Sequence, residues 1–320
     1  MSAALWLMAS CCPAQMLIVL SDESTSYQDV AQELRTNLAP VRDGRLKIDV
    51  VTAPQLTTVS ERGLAAYELV VTVGLAAAQA VVAYDNGLSA VPPTLCLLIP
   101  RLSFERLART NAPVRPRRYS AVFIDQPLSR QLDLIRIALP DKSRVGVILG
   151  PGSLTLREEL RDSARERTLT LNPAEVGEAS AVYGALQKVL PESDVLLALP
   201  DPVALNASTA YGVLLTSYRA RIPVAGFSEG LVKAGALLAV YSSARQQGKQ
   251  GAEIASRILT GEGGLPAPQY PRYFTVAVNF SVARSLGLRM DDEATLAIAL
   301  SQRTQGAAQG EGANAPRRGP

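Results

Sequence analysis

The chain has 320 residues, 48% apolar and 19% charged, which is ample material for buried cores and argues against global disorder. It contains no histidine, which excludes the Ser-His-Asp triad, the HExxH zinc protease and an imidazole general base. The net charge is only +3 and aromatics make up 5%, too little for a nucleic-acid footprint or a base-stacking platform. At roughly 150 residues per domain, the length predicts about two domains.

Residues 5–14 (LWLMASCCPA) are a short apolar run followed by small residues. That is well under the ~20 residues a membrane span needs, and it fits a signal peptide cleaved after Ala14. Met8-Ala9-Ser10-Cys11 is also a loose lipobox, which would make Cys11 a lipid-anchor site. MLIVL at 16–20 predicts a first strand, and Tyr27, Val30, Ala31, Leu34 and Leu38 then fall on one face of a helix. LKIDVV at 46–51, ELVVTV at 68–73 and TLCLLI at 94–99 are further strands, the third followed by an Ala-rich helix after Gly74. These runs are short and apolar without clean alternation, as in strands covered on both faces of a parallel sheet.

The stretch 101–118 carries six arginines against Glu105, which fits a solvated connection and, second to it, a partner-facing or anion-facing patch. The strand–helix pattern then restarts with YSAVFI at 119–124. A helix opened by Asp125-Gln126-Pro127 follows, with Leu128, Leu132, Ile135 and Leu139 as its stripe. Strands at 144–149, at TLTL (168–171), 194–199 and 222–227 alternate with helices near 154–166, 179–189 and 206–219. Then come ALLAVY at 236–241, a long helix from Gln246 to Leu259, the linker GEGGLPAP, a late strand at 273–278 and a short helix in SVARSLGL. The expected organisation is a signal peptide at 1–14, a first lobe at 15–118 with about 243–265 returning to it, a second lobe at 119–242 with about 270–290 returning to it, and a disordered tail at 302–320.

Several motifs carry less chemistry than their letters imply. Gly226-Phe227-Ser228-Glu229-Gly230 matches G-x-S-x-G, but without histidine Ser228 has no base. Gly150-Pro151-Gly152-Ser153-Leu154-Thr155 lacks the third glycine of a dinucleotide loop, and no GxxxxGK[ST] occurs, so no cofactor is expected. Glu158-Glu159 and Asp291-Asp292-Glu293 read as solvated carboxylates. Cys96, the one cysteine outside the leader, reads as a small buried hydrophobe. More informative are the strand ends, because ligands of open α/β sheets sit beyond the carboxyl ends of strands. Those ends carry Ser21-Asp22-Glu23-Ser24, Val73-Gly74, Asp125-Gln126, Gly150-Pro151-Gly152 and Pro200-Asp201-Pro202, with Asn206, Ser208 and Thr209 close behind. Ordinary helix capping and a binding cleft between the lobes both fit such residues.

Residues 119–150 (YSAVFIDQPLSRQLDLIRIALPDKSRVGVILG) resemble the middle segment of the ABC transporter substrate-binding protein family. So do 222–260, with a "GAL" strand, a Tyr and a helix of spaced Gln and Gly, and the closing FTVAVNFSVARSLGL. The likeness runs over about 16–290. It implies a type I periplasmic-binding-protein fold of the α/β class: two Rossmann-like lobes with parallel sheets, three hinge crossings, and a small-molecule solute held between the lobes. It further implies a non-enzymatic, periplasmic protein that presents its closed form to an ABC permease and ATPase. By position the ligand-binding candidates are Ser21, Asp22, Ser24, Gly74, Asp125, Gln126, Asp201, Asn206, Tyr241 and Ser242. Some relatives bind aromatic amino acids, for which only Tyr241 and, less directly, Phe123 or Phe227 offer a ring here. The alternatives are a ligand-sensing or accessory protein of the same fold without an importer and, further off, a Rossmann-type nucleotide-dependent enzyme.

Overall fold

The computed structural model describes residues 15–58, 63–85, 92–111 and 118–313. The expected signal peptide, Cys11 and the end of the tail lie outside them. The chain forms two α/β units, residues 1–125 with 243–273 and residues 126–242 with 274–320. It therefore passes between units three times, at Asp125/Gln126, Ser242/Ser243 and Tyr273/Phe274.

The first unit is built from β1 (Gln15–Leu20), α1 (Thr25–Leu38), β2 (Lys47–Thr52), β3 (Leu69–Val73), α2 (Leu75–Asp85), β4 (Thr94–Ile99), α3 (Arg101–Asn111) and β5 (Tyr119–Phe123). Its sheet is all parallel, in the order β2-β1-β3-β4-β5. The central strands β1, β3 and β4 are buried along almost their whole length, which is why they read as unbroken apolar runs. The predicted stripe of α1 is the buried one: Val30, Ala31, Leu34 and Leu38, each burial stabilising by about 1.5–3 kcal/mol for the larger side chains.

The second unit contains α4 (Leu128–Ala138), β6 (Arg144–Leu149), α5 (Arg157–Glu166), β7 (Thr170–Glu175), α6 (Val182–Val189), β8 (Val195–Leu197), α7 (Ala210–Arg219), β9 (Val224–Gly226), α8 (Glu229–Ala234) and β10 (Leu238–Tyr241). After α9 (Ala244–Leu259), which belongs to the first unit, the chain completes the second with β11 (Thr275–Val278), α10 (Phe280–Leu286) and α11 (Glu293–Ala313). The sheet order is β11-β10-β9-β8-β6-β7, parallel except for β11, which runs antiparallel to β10. Pro173 is tolerated inside β7 because β7 is an edge strand.

Three expectations are corrected. The strand at 119–123 does not open the second lobe: it pairs in parallel with β4, and the border lies after Asp125. Periodicity finds a strand but not its partner. The tail does not become disordered at 302. Leu296 and Leu300 are fully buried against the second unit's core, Arg303 reaches the buried Asp133 of α4 at 2.5 Å, and the helix they anchor continues to Ala313. The second sheet is mostly, not wholly, parallel, because the returning β11 closes an edge.

The returning α9 packs on α1 and β4 through two glycines. A Cβ at Gly248 would lie 2.7 Å from Cβ of Glu33, and one at Gly251 would lie 2.5 Å from Leu97 of β4. The spaced glycines of this helix are therefore contact points, and its glutamines face elsewhere. No helix among the described residues is long and apolar enough to cross a membrane.

Candidate functional site

Each sheet reverses its winding at one point: between β1 and β3 in the first unit, between β6 and β8 in the second. Crevices at such switch points, beyond the carboxyl ends of the strands, are where doubly wound folds hold ligands. In both units the chain's own side chains stitch this crevice.

In the first unit, Ser21 follows β1. Its hydroxyl donates to the Val73 carbonyl at 3.0 Å and accepts from the Ala77 amide at 3.0 Å, so it ties β1 to β3 and caps α2. Gly74 sits beside it at φ +89, where a Cβ would come within 2.4 Å of the Ser21 Oγ and 2.9 Å of the Tyr27 ring. Only glycine fits there. Asp22 accepts from the Ser24 amide at 2.8 Å through Oδ1. Ser24 is the N-cap residue of α1, yet its side chain makes no capping bond. Asp22, Glu23 and Ser24 are all exposed. At the end of β4, Leu98 takes φ +51 where the pairing with β5 shifts register, a left-handed backbone unusual for a non-glycine residue. Asp125 accepts from the Arg101 amide at 2.5 Å and so caps α3. Burial pushes its carboxyl upward, against the lowering effect of that bond.

In the second unit, Asp201 is the stitch. It is 4% exposed. Oδ1 accepts from the Val203 and Ala204 amides, and Oδ2 from the Ser153 amide and hydroxyl, all at 2.8 Å. Burial raises the carboxyl, but these bonds outweigh it and hold Asp201 below its ordinary range. The glycines of Gly150-Pro151-Gly152 make room for this carboxylate. A Cβ at Gly150 would lie 2.1 Å from Asp201 Oδ1, and one at Gly152 would lie 2.5 Å from Pro202. A pyrophosphate approaching that turn would meet a buried carboxylate, not a ring of free amides. Asn206 is also engaged, donating to the Pro202 carbonyl at 2.7 Å and accepting from Ser208 and Thr209.

At the crossings, Gln126 is buried. Its Nε2 donates to Ser242 Oγ at 2.9 Å, and its Oε1 accepts from Arg130 at 2.6 Å. Tyr241, the last residue of β10, is half-buried. Burial raises its phenol, helped by the charges of Glu229 and Glu293. Of the ten sequence candidates, seven are thus committed to bonds or space within their own unit: Ser21, Gly74, Asp125, Gln126, Asp201, Asn206 and Ser242. Asp22, Ser24 and Tyr241 keep polar atoms outward from such bonds.

Ser228 of the G-x-S-x-G sequence is the N-cap of α8, accepting from the Leu231 amide at 3.2 Å. Phe123 is packed between Phe104 and Tyr270 and is 6% exposed, so it presents no face for stacking. Cys96 is fully buried, and burial pushes its thiol up to about 12. Among the described residues no His/Cys/Asp/Glu cluster suits a metal ion. Arg130, Phe274, Gln247 and Gln250 also hold this region, and no sequence motif marks them. Their role lies in contacts between distant segments, for which one sequence carries no signal.

The family model described as ABC transporter substrate binding protein matches residues 65–301, well over half of the chain. The chain belongs to this family. ABC transporter substrate binding proteins bind small-molecule solutes and work with other ABC transporter components, and the non-catalytic character is the family's. Solved structures agree on the fold. The ligand-free, open structure of a substrate binding protein with adhesive properties from Clostridium difficile aligns with a TM-score of 0.68 at 18% identity, covering 87% of this chain and 96% of that one. A conserved domain protein from Vibrio cholerae gives 0.59 at 23% identity, over 89% and 98%. An ABC domain from Streptococcus pneumonia in complex with L-Trp gives 0.58 at 18% identity, over 87% and 96%. The fold of this substrate binding protein is accordingly the type I periplasmic-binding fold of two Rossmann-like, mostly parallel α/β units. No curated protein matches it in sequence.

Proposed function

We propose that this substrate binding protein is the exported solute receptor of an ABC importer. It takes a small molecule between its two units, against the carboxyl ends of both sheets, closes by bending at the three chain crossings, and is read in the closed state by a permease and its ATPase. It performs no chemistry on the solute. The observation that carries this reading is the family assignment over two units joined by three crossings. Residues 1–14 serve as the export signal, removed after Ala14, the alternative being cleavage just before Cys11 with the lipid on that residue; the mature protein works in the periplasm.

The site divides into two kinds of residue. Asp22, Ser24 and Tyr241 touch the solute, through the second carboxylate oxygen of Asp22, whose Oδ1 is held by the Ser24 amide, and through the hydroxyls of Ser24 and Tyr241. Ser21, Gly74, Asp125, Gln126, Asp201, Asn206 and Ser242 hold the turns that position them. The outward acids at 22 and 23 and the hydroxyls at 24 and 241 suit a solute carrying a hydrogen-bond donor or an amine. A thermal-shift panel of L-amino acids, pentoses, hexoses and nucleotides tests the assignment. A true solute at 100 times its Kd adds about 2.7 kcal/mol, which is a rise of about 5–10 °C for a unit of this size. Asp22→Ala and Tyr241→Phe should lose most of that rise while melting normally without solute. A rise with nucleotides alone would contradict the transport reading.

A further inference from the structure

Polar side chains buried in α/β cores are uncommon unless each has a partner. Among the described residues of this protein, Gln126, Arg130, Gln131, Ser242, Gln247 and Gln250 are buried at or beside the crossings. On the second unit, α4 buries Arg130, Gln131 and Asp133 beside its apolar stripe. Arg130 is 6% exposed. One guanidinium nitrogen donates to Oε1 of Gln126, the first residue after the first crossing, at 2.6 Å. The Nε2 of that same Gln126 donates to Ser242, the last residue before the second crossing, at 2.9 Å. The Arg130 guanidinium carbon lies 4.6 Å from the ring centroid of Phe274, the first residue after the third crossing. Arg130 thus reaches the first crossing by a hydrogen bond and the third by a cation–π contact, and Gln126 relays it to the second by its own bond to Ser242.

The first unit holds its own ends separately, and does so from α9. Gln247 donates to the Phe123 carbonyl at 2.7 Å, just before the first crossing. Gln250 accepts from the Arg272 amide at 2.7 Å, just before the third. Gln269 pairs with β5 through the bonds Phe123 N to Gln269 O and Gln269 N to Ala121 O, both 2.9 Å. The second crossing is the start of α9 itself, fixed by a capping box between Ser243 and Gln246.

We propose that Arg130 is a positioning residue for closure. With Gln126 as its relay to Ser242, it locks the second unit's three chain ends into one body, as α9 locks those of the first, so that bending is confined to the few backbone bonds at 124–126, 242–243 and 273–274. Without it the three crossings move independently, and the open state becomes a broad family of arrangements instead of one. Planar, forked and always charged, arginine suits this role, because a single group must face an amide oxygen and an aromatic ring at once.

The inference rests on the closure proposed above, so its test uses the full chain without solute. Hydrogen exchange is followed in peptides spanning 126–131, 238–243 and 273–278, with 145–149 as a core reference, in wild type, Arg130→Leu, Arg130→Lys and Phe274→Leu. Spin labels at the exposed positions 47 and 188, with Cys11 and Cys12 replaced, report the spread of distances between units. Arg130→Leu should speed exchange at least tenfold in all three crossing peptides, leave the reference unchanged and widen the distance distribution at least twofold. Phe274→Leu should do the same to a smaller degree, and Arg130→Lys should restore part of the wild-type behaviour. Acceleration confined to 126–131, with an unchanged distance distribution, would overturn the proposal. If Arg130→Leu does not fold, Phe274→Leu decides by the same criteria. None of these readouts needs a solute, so failure here is distinct from failure of the solute panel.

Discussion

Replacing Asp201 with alanine separates a residue that holds the site from one that touches a solute. The carboxylate accepts four hydrogen bonds, from Val203, Ala204 and twice from Ser153, and is almost fully buried. Alanine strands these donors. Buried donors left unpaired cost about 1–3 kcal/mol each, part of which water recovers, so the loss should be about 3–5 kcal/mol. At about 2–4 °C per kcal/mol this is a fall of about 6–20 °C in the melting of the second unit. Asp201→Asn keeps the shape and two acceptor bonds and should lose about half as much. Because the folded carboxyl lies below its ordinary value of 3.8, its stabilisation is complete above that pH and fades as the pH falls below it. The gap between wild type and Asp201→Ala should therefore narrow below about pH 4. Calorimetry at pH 7 and pH 3 checks both points. A variant that melts within 2 °C of wild type at pH 7 but no longer binds solute would refute the reasoning and make Asp201 a ligand residue.

Gly74→Ala and Gly150→Ala should each destabilise by about 1–3 kcal/mol or more in thermal melts, since the new Cβ meets Ser21 and Tyr27 in one case and Asp201 in the other. Leu300→Ala on α11 should cost about 2–5 kcal/mol in denaturant unfolding, because the side chain is fully buried; a cost near zero would return the tail to disorder. Asp194, held down to about 2 chiefly by the Arg144 side chain, should make Asp194→Asn less stable than wild type by about 1 kcal/mol at neutral pH. That difference should vanish as the pH falls from 3.8 toward 2. Cys96 should stay unlabelled by thiol reagents in the native protein and react only on unfolding, as read by mass of the peptide around 94–99.

Most strands were legible because parallel strands covered on both faces must be continuously apolar, as MLIVL, LVVTV and TLCLLI are. What periodicity lacks is pairing. YSAVF looks like the opening of a new lobe and is instead the last strand of the first sheet. The tail beyond 301 has a composition that favours no core. It starts as helix only because Leu296, Leu300 and Arg303 find Leu and Asp partners on the second unit, a tertiary effect that local propensity does not contain. At the site, the same residue types serve capping and binding. Asp201 and Ser21 read as rim residues, and what commits them inward is a partner 48 residues away in one case and 52 and 56 residues away in the other. Arg130 lies off the predicted stripe of α4, where a charged residue ordinarily faces water. It is buried because Gln126 and Phe274, from two separate crossings, converge on it.

Native mass spectrometry of the protein purified without refolding addresses solute capture most directly. The account predicts a one-to-one adduct of a small, non-nucleotide molecule that survives gentle ionisation and disappears in Asp22→Ala and Tyr241→Phe, with both variants folded. An adduct that is a nucleotide, or one retained undiminished in both variants, would contradict it.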